Sequence, residues 1–370
     1  MSLALAADSD GPRCSSEEEE DVVDTLGVKD ATSLYGQPSP TLRAQTLKCV
    51  NTLSGHHSGI RVIAVATNRV YTGSYDNTIK VWNLDNGRCE ATLEGHVAWI
   101  RALCVHAREP LLFSGSDDGL IKAWRADSYV HLHDILPANA GFDTPAPAES
   151  GGAGILALTV DYNHNWLIAG SYDSNIYVWG LPCPSTPSIR LLHVLRGHRS
   201  AVRSLVCLAP FSTFSPPCLM SGSYDRTIKL WELAEEECRC VGSLGTRGSV
   251  WTLAVHDGLL LGAIGDSSIK VWRMDPDTPM EAWQQIGILS GHRGLVLALA
   301  VYKDKLISGS DDRCIRVWRM GSWECERTLT GHNGGVVGVC FIQGNLISAS
   351  NDSFIKVWNT SGIQRPFTAK

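Results

Sequence analysis

The sequence lacks the features that would indicate a membrane-spanning, secreted or nucleotide-binding protein. No stretch approaches the roughly 18 consecutive apolar residues that a membrane-spanning helix needs. The first residues, Met1–Gly11, have no basic segment before their short apolar patch, so no secretory signal is predicted. No Gly-rich phosphate loop, nucleophile elbow or metal-binding triad stands out, and the sequence therefore gives little support to an enzyme.

Most of the chain carries no net charge. The net charge of −6 is located in residues 1–45, which hold nine acidic and three basic side chains. The other 325 residues balance to zero, which argues against a general nucleic-acid binder because such proteins neutralise many phosphates. Residues 1–45, with the acidic run Glu17–Asp21, are predicted to form a disordered acidic tail.

Metal-binding spacing is also absent from the 12 cysteines. Four of them lie four residues before a Leu that opens a repeat, and these are Cys49, Cys89, Cys240 and Cys325. Cys104 and Cys340 share one strand position, which other repeats fill with Ala. We expect all six to be small buried groups, with no metal or cofactor bound, in a reducing compartment.

What the sequence does have is one phrase copied seven times. The first copy, Tyr71–Trp82, reads Tyr-Thr-Gly-Ser-Tyr-Asp-Asn-Thr-Ile-Lys-Val-Trp, and the seven repeat tryptophans lie 40 to 55 positions apart. Every copy has an Asp six residues and an Ile three residues before its Trp. Five copies follow a Gly-His pair, whose histidines are His56, His96, His198, His292 and His332. Self-similarity of this kind indicates a repeat architecture.

The Gly-His…Trp pattern, which extends from Cys49 to Trp358, resembles the WD40 repeat family. The resemblance implies an all-β, seven-bladed β-propeller over residues 46–360, with a C-terminal tail over 361–370. The chain departs from the family in one respect, because no repeat Trp is followed by Asp. Since blade seven has no outer strand after Trp358, we expect the strand at 46–53 to pair with blade seven and close the ring.

The repeated polar residues are expected to support the blades. In WD40 proteins the Gly-His histidine, a hydroxyl on the second strand, the Trp and the turn Asp form a hydrogen-bonded network. Two positions carry a Ser or Thr in most repeats, one of them two residues and the other four residues before the Asp. Only the position four residues before the Asp lacks a hydroxyl in both blade three and blade five, at Ala169 and Gly262, and these two blades also lack Gly-His. Because a buried hydroxyl without its partner is costly, we assign the network to the position four residues before the Asp. The predicted network residues are His56, Thr72, Asp76, Trp82, His96, Ser114, Asp118, Trp124, His198, Ser221, Asp225, Trp231, His292, Ser308, Asp312, Trp318, His332, Ser348, Asp352 and Trp358.

The resemblance also implies that partners bind the top face, where the loops between blades, the b–c turns and the first residues of strand a surround the channel. The predicted partner-binding residues at these positions are Arg61, Tyr75, Trp99, Arg101, Asp117, Tyr172, Arg203, Tyr224, Trp251, Asp311 and Asn351. Aromatic residues and Arg are enriched in binding hot spots, and Arg binds carboxylate or phosphate groups well. Two interpretations stay open: the arginines bind an acidic or phosphorylated segment, or they pair with local carboxylates such as Asp117.

The blades differ in this respect. Blades one to five carry the arginines and aromatic residues, whereas blades six and seven offer the apolar Leu295, Leu297 and Val337. Two insertions interrupt the repeat period. Pro137–Ala153 precedes blade three on the top side, and Leu208–Cys218 separates strands a and b of blade four. We expect both to be loop extensions, although long loops often carry binding functions.

The function predicted from the sequence is a non-catalytic protein–protein interaction scaffold or adaptor, located in the cytoplasm or, as an alternative, in the nucleus. Its expected partners are proteins or peptides, with no small-molecule substrate and no membrane span. A substrate-recognition subunit of a ubiquitin ligase is the alternative function. Residues 1–45 show no F-box-like Leu-Pro helix, and no repeat Trp is followed by Asp-x-Arg. An enzyme with a site in the central channel ranks last.

Overall fold

The computed structural model describes residues 48–106, 108–137, 153–182, 188–208 and 217–359. In these residues 28 strands form seven four-stranded antiparallel sheets, which confirms the predicted all-β, seven-bladed propeller. The predicted tails at 1–45 and 361–370 lie outside the described residues, as do positions 138–152 and 209–216 of the two insertions. Within the described ranges, no helix has the length and apolar character needed to cross a membrane.

The first four blades follow one another along the chain, each with strands a, b, c and d in order. Blade one contains β2 (Ile60–Ala66), β3 (Arg69–Ser74), β4 (Ile79–Asn83) and β5 (Arg88–Leu93). Blade two contains β6 (Ile100–Val105), β7 (Leu111–Ser116), β8 (Ile121–Arg125) and β9 (His131–Ile135). Blade three contains β10 (Ile155–Asp161), β11 (Trp166–Ser171), β12 (Ile176–Gly180) and β13 (Arg190–Leu195). Blade four contains β14 (Val202–Cys207), β15 (Cys218–Ser223), β16 (Thr227–Glu232) and β17 (Arg239–Gly245).

The last three blades follow the same order, with two additions. Blade five contains β18 (Val250–His256), β19 (Leu259–Ile264), β20 (Ile269–Arg273), a 3-10 helix (Met280–Ala282) and β21 (Gln285–Leu289). Blade six contains β22 (Val296–Tyr302), β23 (Lys305–Ser310), β24 (Ile315–Arg319) and β25 (Cys325–Leu329). Blade seven contains β26 (Val336–Ile342), β27 (Asn345–Ser350), β28 (Phe354–Asn359) and, as its outer strand, β1 (Cys49–Ser54).

The outer strand of blade seven comes from the other end of the propeller sequence. β1 pairs antiparallel with β28, with Leu53 opposite Ile355. Leu53 is buried in the same apolar cluster as Ile355 and Ile347. The strand begins at Cys49 and ends at Ser54, whereas the sequence placed it at 46–53; positions 46 and 47 lie outside the described residues.

The a strands of neighbouring blades contact one another, so they are the innermost strands of the ring. A Gly three residues before the turn Asp allows this contact in five blades, whereas blades five and seven have Ala263 and Ala349 there. A Cβ on Gly73 would lie 2.3 Å from Cγ2 of Ile100, the first residue of strand a in the next blade. Real carbon atoms do not approach this closely, so any side chain at position 73 would push blades one and two apart.

The Asp of every repeat forms the b–c turn. In blade one, Oδ1 of Asp76 accepts a hydrogen bond from the backbone N–H of Thr78, two residues further on. The residue between them, Asn77, has φ of +64°, and its counterparts in the other blades also have positive φ. This Asx-type turn needs the carboxylate whether or not a histidine is present, which explains why the Asp occurs in all seven repeats.

The prediction of burial is wrong for four of the six cysteines. Those four lie exposed on outer strands and are Cys49, Cys89, Cys240 and Cys325. The outer strand has a neighbour on only one side, and it buries chiefly the Leu at its end, such as Leu53 or Leu93. Cys104 and Cys340 lie on inner strands, where burial raises the pKa of each thiol to about 12. These six thiols are free.

Candidate partner-binding face

A directional chain of hydrogen bonds runs through blade one beneath the top face. Nδ1 of His56 lies 2.8 Å from Oδ2 of Asp76, and Nε2 lies 2.8 Å from Oγ1 of Thr72. The carboxylate can only accept, so Nδ1 carries the proton of the neutral ring and Nε2 accepts from the Thr72 hydroxyl. That hydroxyl oxygen in turn accepts from Nε1 of Trp82 at 2.8 Å. One Thr oxygen therefore satisfies two buried rings.

The same four-residue network occurs in blades two, four, six and seven. Its His-to-hydroxyl distances are 2.7 or 2.8 Å and its His-to-Asp distances 2.8 or 2.9 Å. The Trp Nε1 donates to the same hydroxyl in each. The hydroxyls are Ser114, Ser221, Ser308 and Ser348. All are on the second strand, four residues before the Asp.

Burial and hydrogen bonding set the charges of this network. Burial lowers the pKa of His56 and outweighs the opposing effect of Asp76, so the ring is neutral near pH 7. Burial of Asp76 acts to raise its pKa, but hydrogen bonds from Thr78 and His56 lower it to about 2. The network therefore combines a neutral imidazole with an ionised carboxylate.

Blades three and five satisfy their turn Asp in other ways. In blade three the hydroxyl of Tyr177 donates to Oδ2 of Asp173 at 2.5 Å, and the Tyr177 ring stacks on Trp179. In blade five Thr246 stands where other blades have His, and its hydroxyl bonds to backbone carbonyls. Asp266 of blade five instead accepts from Ser268 at 2.5 Å.

A β-bulge occurs at the top of strand a in every blade. The a–b pairing skips one residue directly after the first, for example between Ile60 and Val62. Such bulges re-aim a side chain, and the skipped residues here occupy one equivalent position near the start of strand a in every blade. They are Arg61, Arg101, Leu156, Arg203, Trp251, Leu297 and Val337.

In blades one and two, Arg101 lies between aromatic rings and a carboxylate. Its guanidinium carbon is 5.0 Å from the Trp99 ring centroid and 5.8 Å from that of Tyr75, and the two rings meet edge to face. Nε of Arg101 donates to both oxygens of Asp117 at 2.9 Å, and a second guanidinium nitrogen lies 2.7 Å from Oδ2. Burial acts to lower the pKa of Arg101, but Asp117 raises it overall.

The belt of side chains continues across blades three to five. Tyr172 follows Asp117 around the ring and is 45% exposed, while Trp99 is 46% exposed. In blade four, Arg203 lies over the Trp251 ring at 5.9 Å, and Tyr224 packs against the same ring. We call the set comprising Tyr75, Trp99, Arg101, Asp117, Tyr172, Arg203, Tyr224 and Trp251 the aromatic–arginine belt.

The remaining predicted residues lie in blades six, seven and one. Asp311 is exposed, and Asn351 is partly buried. Both approach Gly335, where an added Cβ would lie 2.5 Å from Oδ1 of Asp311 and 3.5 Å from Nδ2 of Asn351. In blade one, Arg61 occupies the bulge position beside blade seven. The predicted partner-binding residues thus occur in all seven blades.

Arg61 and Arg203 differ from Arg101 in their partners. Within the described part of the chain, neither has a carboxylate within 4.0 Å, and the buried Nε of each has no hydrogen-bond partner. One terminal nitrogen of Arg203 makes a long 3.4 Å bond to the Leu156 carbonyl. Burial, followed by the positive charge of Arg61, lowers the pKa of Arg203 to about 10.

Three residues of this region were missed from the sequence. Leu156 is the bulge residue of blade three, and no partner-binding role was predicted for it. Tyr177 replaces the histidine of its blade as the partner of Asp173. Val97, which is 81% exposed beside Trp99, is an apolar residue directly after Gly-His, where three other blades have Arg or Asn. That contrast could have identified it.

Among the residues with described positions, no group of three or more His, Cys, Asp or Glu side chains is placed to hold a metal ion. The histidines and aspartates of the repeats are instead bonded to each other and to hydroxyls. The top face therefore offers cationic, aromatic and apolar contact groups rather than a cluster of unpaired acids and bases.

Comparison with known families and proteins agrees with this architecture. The family model described as WD domain, G-beta repeat, matches six segments, at residues 47–83, 87–125, 148–180, 189–232, 283–319 and 323–359. None of these segments covers strands a, b or c of blade five, which, like blade three, lacks both the histidine and the hydroxyl.

Individual relatives match parts of the chain. The pre-mRNA-splicing factor PRP46 of Candida albicans is 48% identical over 81 residues, 21% of each chain. Periodic tryptophan protein 2 of Arabidopsis thaliana is 29% identical over 48% of this chain and 18% of its own length. The ribosome biogenesis protein YTM1 of Eremothecium gossypii is 26% identical over 63% of this chain and 57% of its own. The chain thus spans less than two thirds of each of these relatives.

Proposed function

From the premise that this chain belongs to the WD40 family (WD domain, G-beta repeat), we propose that it is a non-catalytic scaffold that binds partner proteins on its top face. The aromatic–arginine belt is the observation that carries the proposal. It places two exposed aromatic rings, Trp99 and Tyr172, beside arginines at the channel mouth. Aromatic residues and Arg dominate the energetics of protein interfaces. Val97 extends this exposed surface beside Trp99.

The partner that suits this surface is an acidic or phosphorylated protein segment. Arginines stacked on aromatic rings present planar donors that match carboxylate and phosphate groups. The balanced charge of residues 46–370 favours a protein partner over a bare nucleic acid. A ubiquitin ligase role gains no support from the belt.

The named relatives suggest a setting for this scaffold. One is named for pre-mRNA splicing and another for ribosome biogenesis. We extend the proposal to a scaffold within an RNA-processing assembly, where the chain contacts the protein components. This favours the nucleus over the cytoplasm, and fluorescence microscopy of the tagged full chain tests it. Exclusive cytoplasmic signal would contradict this extension.

The test of the scaffold role compares retained partners between matched variants. We expect Trp99→Ala combined with Tyr172→Ala to reduce captured partner proteins at least ten-fold in affinity purification with quantitative mass spectrometry. The control is Val241→Ala, because Val241 is 45% exposed like Tyr172 but lies on an outer strand.

The result must then be reproduced with purified components. The partner lost from the double variant should bind the purified full chain directly and bind the double variant at least ten-fold more weakly. If the double variant keeps the same partners as Val241→Ala, the top face is not the binding surface and the proposal is wrong.

A further inference from the structure

A cavity of about 370 Å³ lies between blades six and seven, at the end of the blades that carries the a–b turns. Strand a of blade six contributes residues 300–302 to its lining, and strand a and the a–b turn of blade seven contribute residues 339–344. The rings of Tyr302 and Phe341 stack across the two blades, with their centroids 4.3 Å apart and an interplanar angle of 14°. Nζ of Lys303 lies 5.2 Å from the Tyr302 ring centroid. The cavity is therefore bordered by an aromatic pair that is already held in place.

The gap between blades six and seven departs from the repeat at two positions. The sixth residue of strand a is Val in five blades and Cys207 in blade four, but blade seven has Phe341 there. The residue two after the repeat Trp is Thr360 in blade seven. In the other six blades it is apolar and packs into the cluster between its blade and the preceding one; these residues are Leu84, Ala126, Leu181, Leu233, Met274 and Met320. The gap beside the cavity thus has a larger ring on strand a and a polar residue where the other gaps receive an apolar one.

Backbone hydrogen bonds of the other blades indicate where the chain goes after strand c. In each of blades one to six, the N–H of the residue two after the repeat Trp donates to the carbonyl of the residue directly before strand b, for example Met320 to Asp304 at 2.9 Å. The equivalent donor in blade seven is Thr360, and the equivalent acceptor is Gly344, which lines the cavity. The other blades then continue into their own strand d, whereas in blade seven β1 supplies that strand. The segment after Asn359 therefore starts at the cavity edge and is not needed to complete a sheet.

We propose that residues 360–370 of this chain dock along this cavity and insert the ring of Phe367 beside the Tyr302–Phe341 pair. Phe367 lies seven residues after Thr360, and seven residues span at most about 25 Å, so the ring can reach the cavity. A cavity of roughly 150 Å³ is enough to bind benzene, and aromatic rings favour offset-stacked or edge-to-face contact with other rings. A segment tethered at the cavity edge also has a high effective concentration there, which favours it over a separate partner protein.

The consequence is a second contact that holds the ring closed. Blade seven already combines β1 with strands from the other end of the propeller sequence. The docked segment would in addition join blade seven to strand a of blade six. This inference is independent of the scaffold proposal, because the cavity lies at the opposite end of the blades from Trp99 and Tyr172.

Amide hydrogen exchange of the purified full chain, read by mass spectrometry, tests the docking. We expect residues 361–367 to exchange at least ten-fold more slowly than their intrinsic rates. Phe367→Ala should abolish this protection, because it removes the ring that anchors the segment. Thr368→Ala is the matched control, since it changes the neighbouring side chain and should leave the protection unchanged.

A variant of the cavity itself provides the second arm of the test. Phe341→Val gives blade seven the residue that five other blades have at this position, so the blade should still fold. The protection of residues 361–367 should decrease at least ten-fold in this variant. The control is Phe354→Val, the same substitution on strand c of the same blade, where Phe354 is 37% exposed. Near-ultraviolet circular dichroism establishes that both variants are folded.

Three results would overturn the inference. The first is exchange of residues 361–367 at their intrinsic rates in the wild-type chain. The second is equal protection of these residues in Phe341→Val and Phe354→Val. The third is protection that increases with protein concentration, because the segment would then be supplied by a second copy of the chain. None of these results affects the scaffold proposal, which depends on the partners lost from the Trp99 and Tyr172 double variant.

Discussion

Blade six and blade five have the same four strands and the same buried Trp, but they stabilise it differently. In blade six, the Ser308 hydroxyl joins His292 to Trp318, and His292 holds the turn carboxylate. Blade five has Gly262 and Thr246 at the corresponding positions. Its Trp272 instead belongs to an apolar cluster that includes Met280 and Trp283, contributed by the 3-10 helix region before its outer strand.

The difference shows which parts of the repeat are needed to make a blade. The turn Asp, the Ile and the Trp occur in both blades, so the b–c turn and the buried core are sufficient. The histidine and the hydroxyl are a coupled addition, because either one alone would leave a buried polar group unsatisfied. Apolar packing replaces this addition in blade five, and a Tyr replaces it in blade three.

Lowering the pH should produce the largest difference in stability between the blades with the histidine network and blade five. Burial lowers the pKa of four network histidines, which are His56, His198, His292 and His332. The stability from their neutral form is complete above the unfolded pKa of about 6.5 and is lost as the pH falls, by up to about 1.4 kcal/mol per pH unit for each His. Asp76, with a pKa of about 2 against 3.8, adds a loss below pH 3.8.

Amide hydrogen exchange at pH 7.5 and pH 5, corrected for intrinsic rates, tests this expectation. Protection should fall in blades one, four, six and seven, while the a, b and c strands of blade five keep theirs. Uniform loss across all seven blades would show that the histidines are not responsible.

Removing one shared hydroxyl is the next largest change. Ser308→Ala leaves Nε2 of His292 and Nε1 of Trp318 without their common partner in a buried site. Two unsatisfied groups cost about 3 kcal/mol together. Urea denaturation should show this loss, and exchange of the β23 and β24 amides should locate it in blade six. Unchanged protection in those strands would contradict the role of the network.

The hydrogen bond from Tyr177 to Asp173, which replaces the histidine network in blade three, should contribute less to stability than the Ser308 hydroxyl does in blade six. Tyr177→Phe keeps the stacking on Trp179 but removes the hydrogen bond to Asp173. Because Asp173 is exposed, we expect a loss of about 1 kcal/mol, measured as a lower Tm. Tyr172→Phe is the matched control, since it removes a neighbouring exposed hydroxyl and should leave the Tm unchanged. An equal decrease in both variants would rule out a specific role for Tyr177.

The smallest effect is expected for the hydroxyl of blade five. Ser268→Ala removes a bond to Asp266, but that carboxylate is 42% exposed and keeps its backbone partner. The expected loss is below about 1 kcal/mol in urea denaturation. A loss as large as that of Ser308→Ala would show that polar bonding stabilises blade five as much as blade six, which would contradict the distinction between the two blades.

The fold could be predicted from the sequence because the seven repeats can be aligned with one another. Seven aligned copies separate the residues that never change, such as Asp76 and Trp82, from those that vary. The paired absence of His and hydroxyl in blades three and five gave the strand position of the network. Burial of the repeated cysteines could not be inferred this way, because alignment does not reveal that the outer strand lies at the rim.

For the candidate site, the sequence predicts which residues belong to it but not how they are paired. Sequence spacing placed Arg61, Arg101 and Arg203 at one position of the repeat, but spacing does not reveal which carboxylate lies within reach. The structure pairs Arg101 with Asp117, and among the residues with described positions it places no acid within 4.0 Å of the other two arginines. Whether an arginine is neutralised depends on distances of a few ångströms between loops of different blades, which no periodicity encodes.

The pairing of β1 with β28 has a consequence for the order of events during synthesis. Thr52 and Lys356 are neighbours in blade seven, yet 304 positions separate them along the chain. At roughly 5–20 residues per second, a ribosome needs on the order of 15–60 s to make that stretch. During this time β1 has no partner strand and Leu53 is exposed to solvent, while the first six blades fold. We expect the slowest and most aggregation-prone step of folding to be the final pairing of β28 with β1, the strand that is synthesised first.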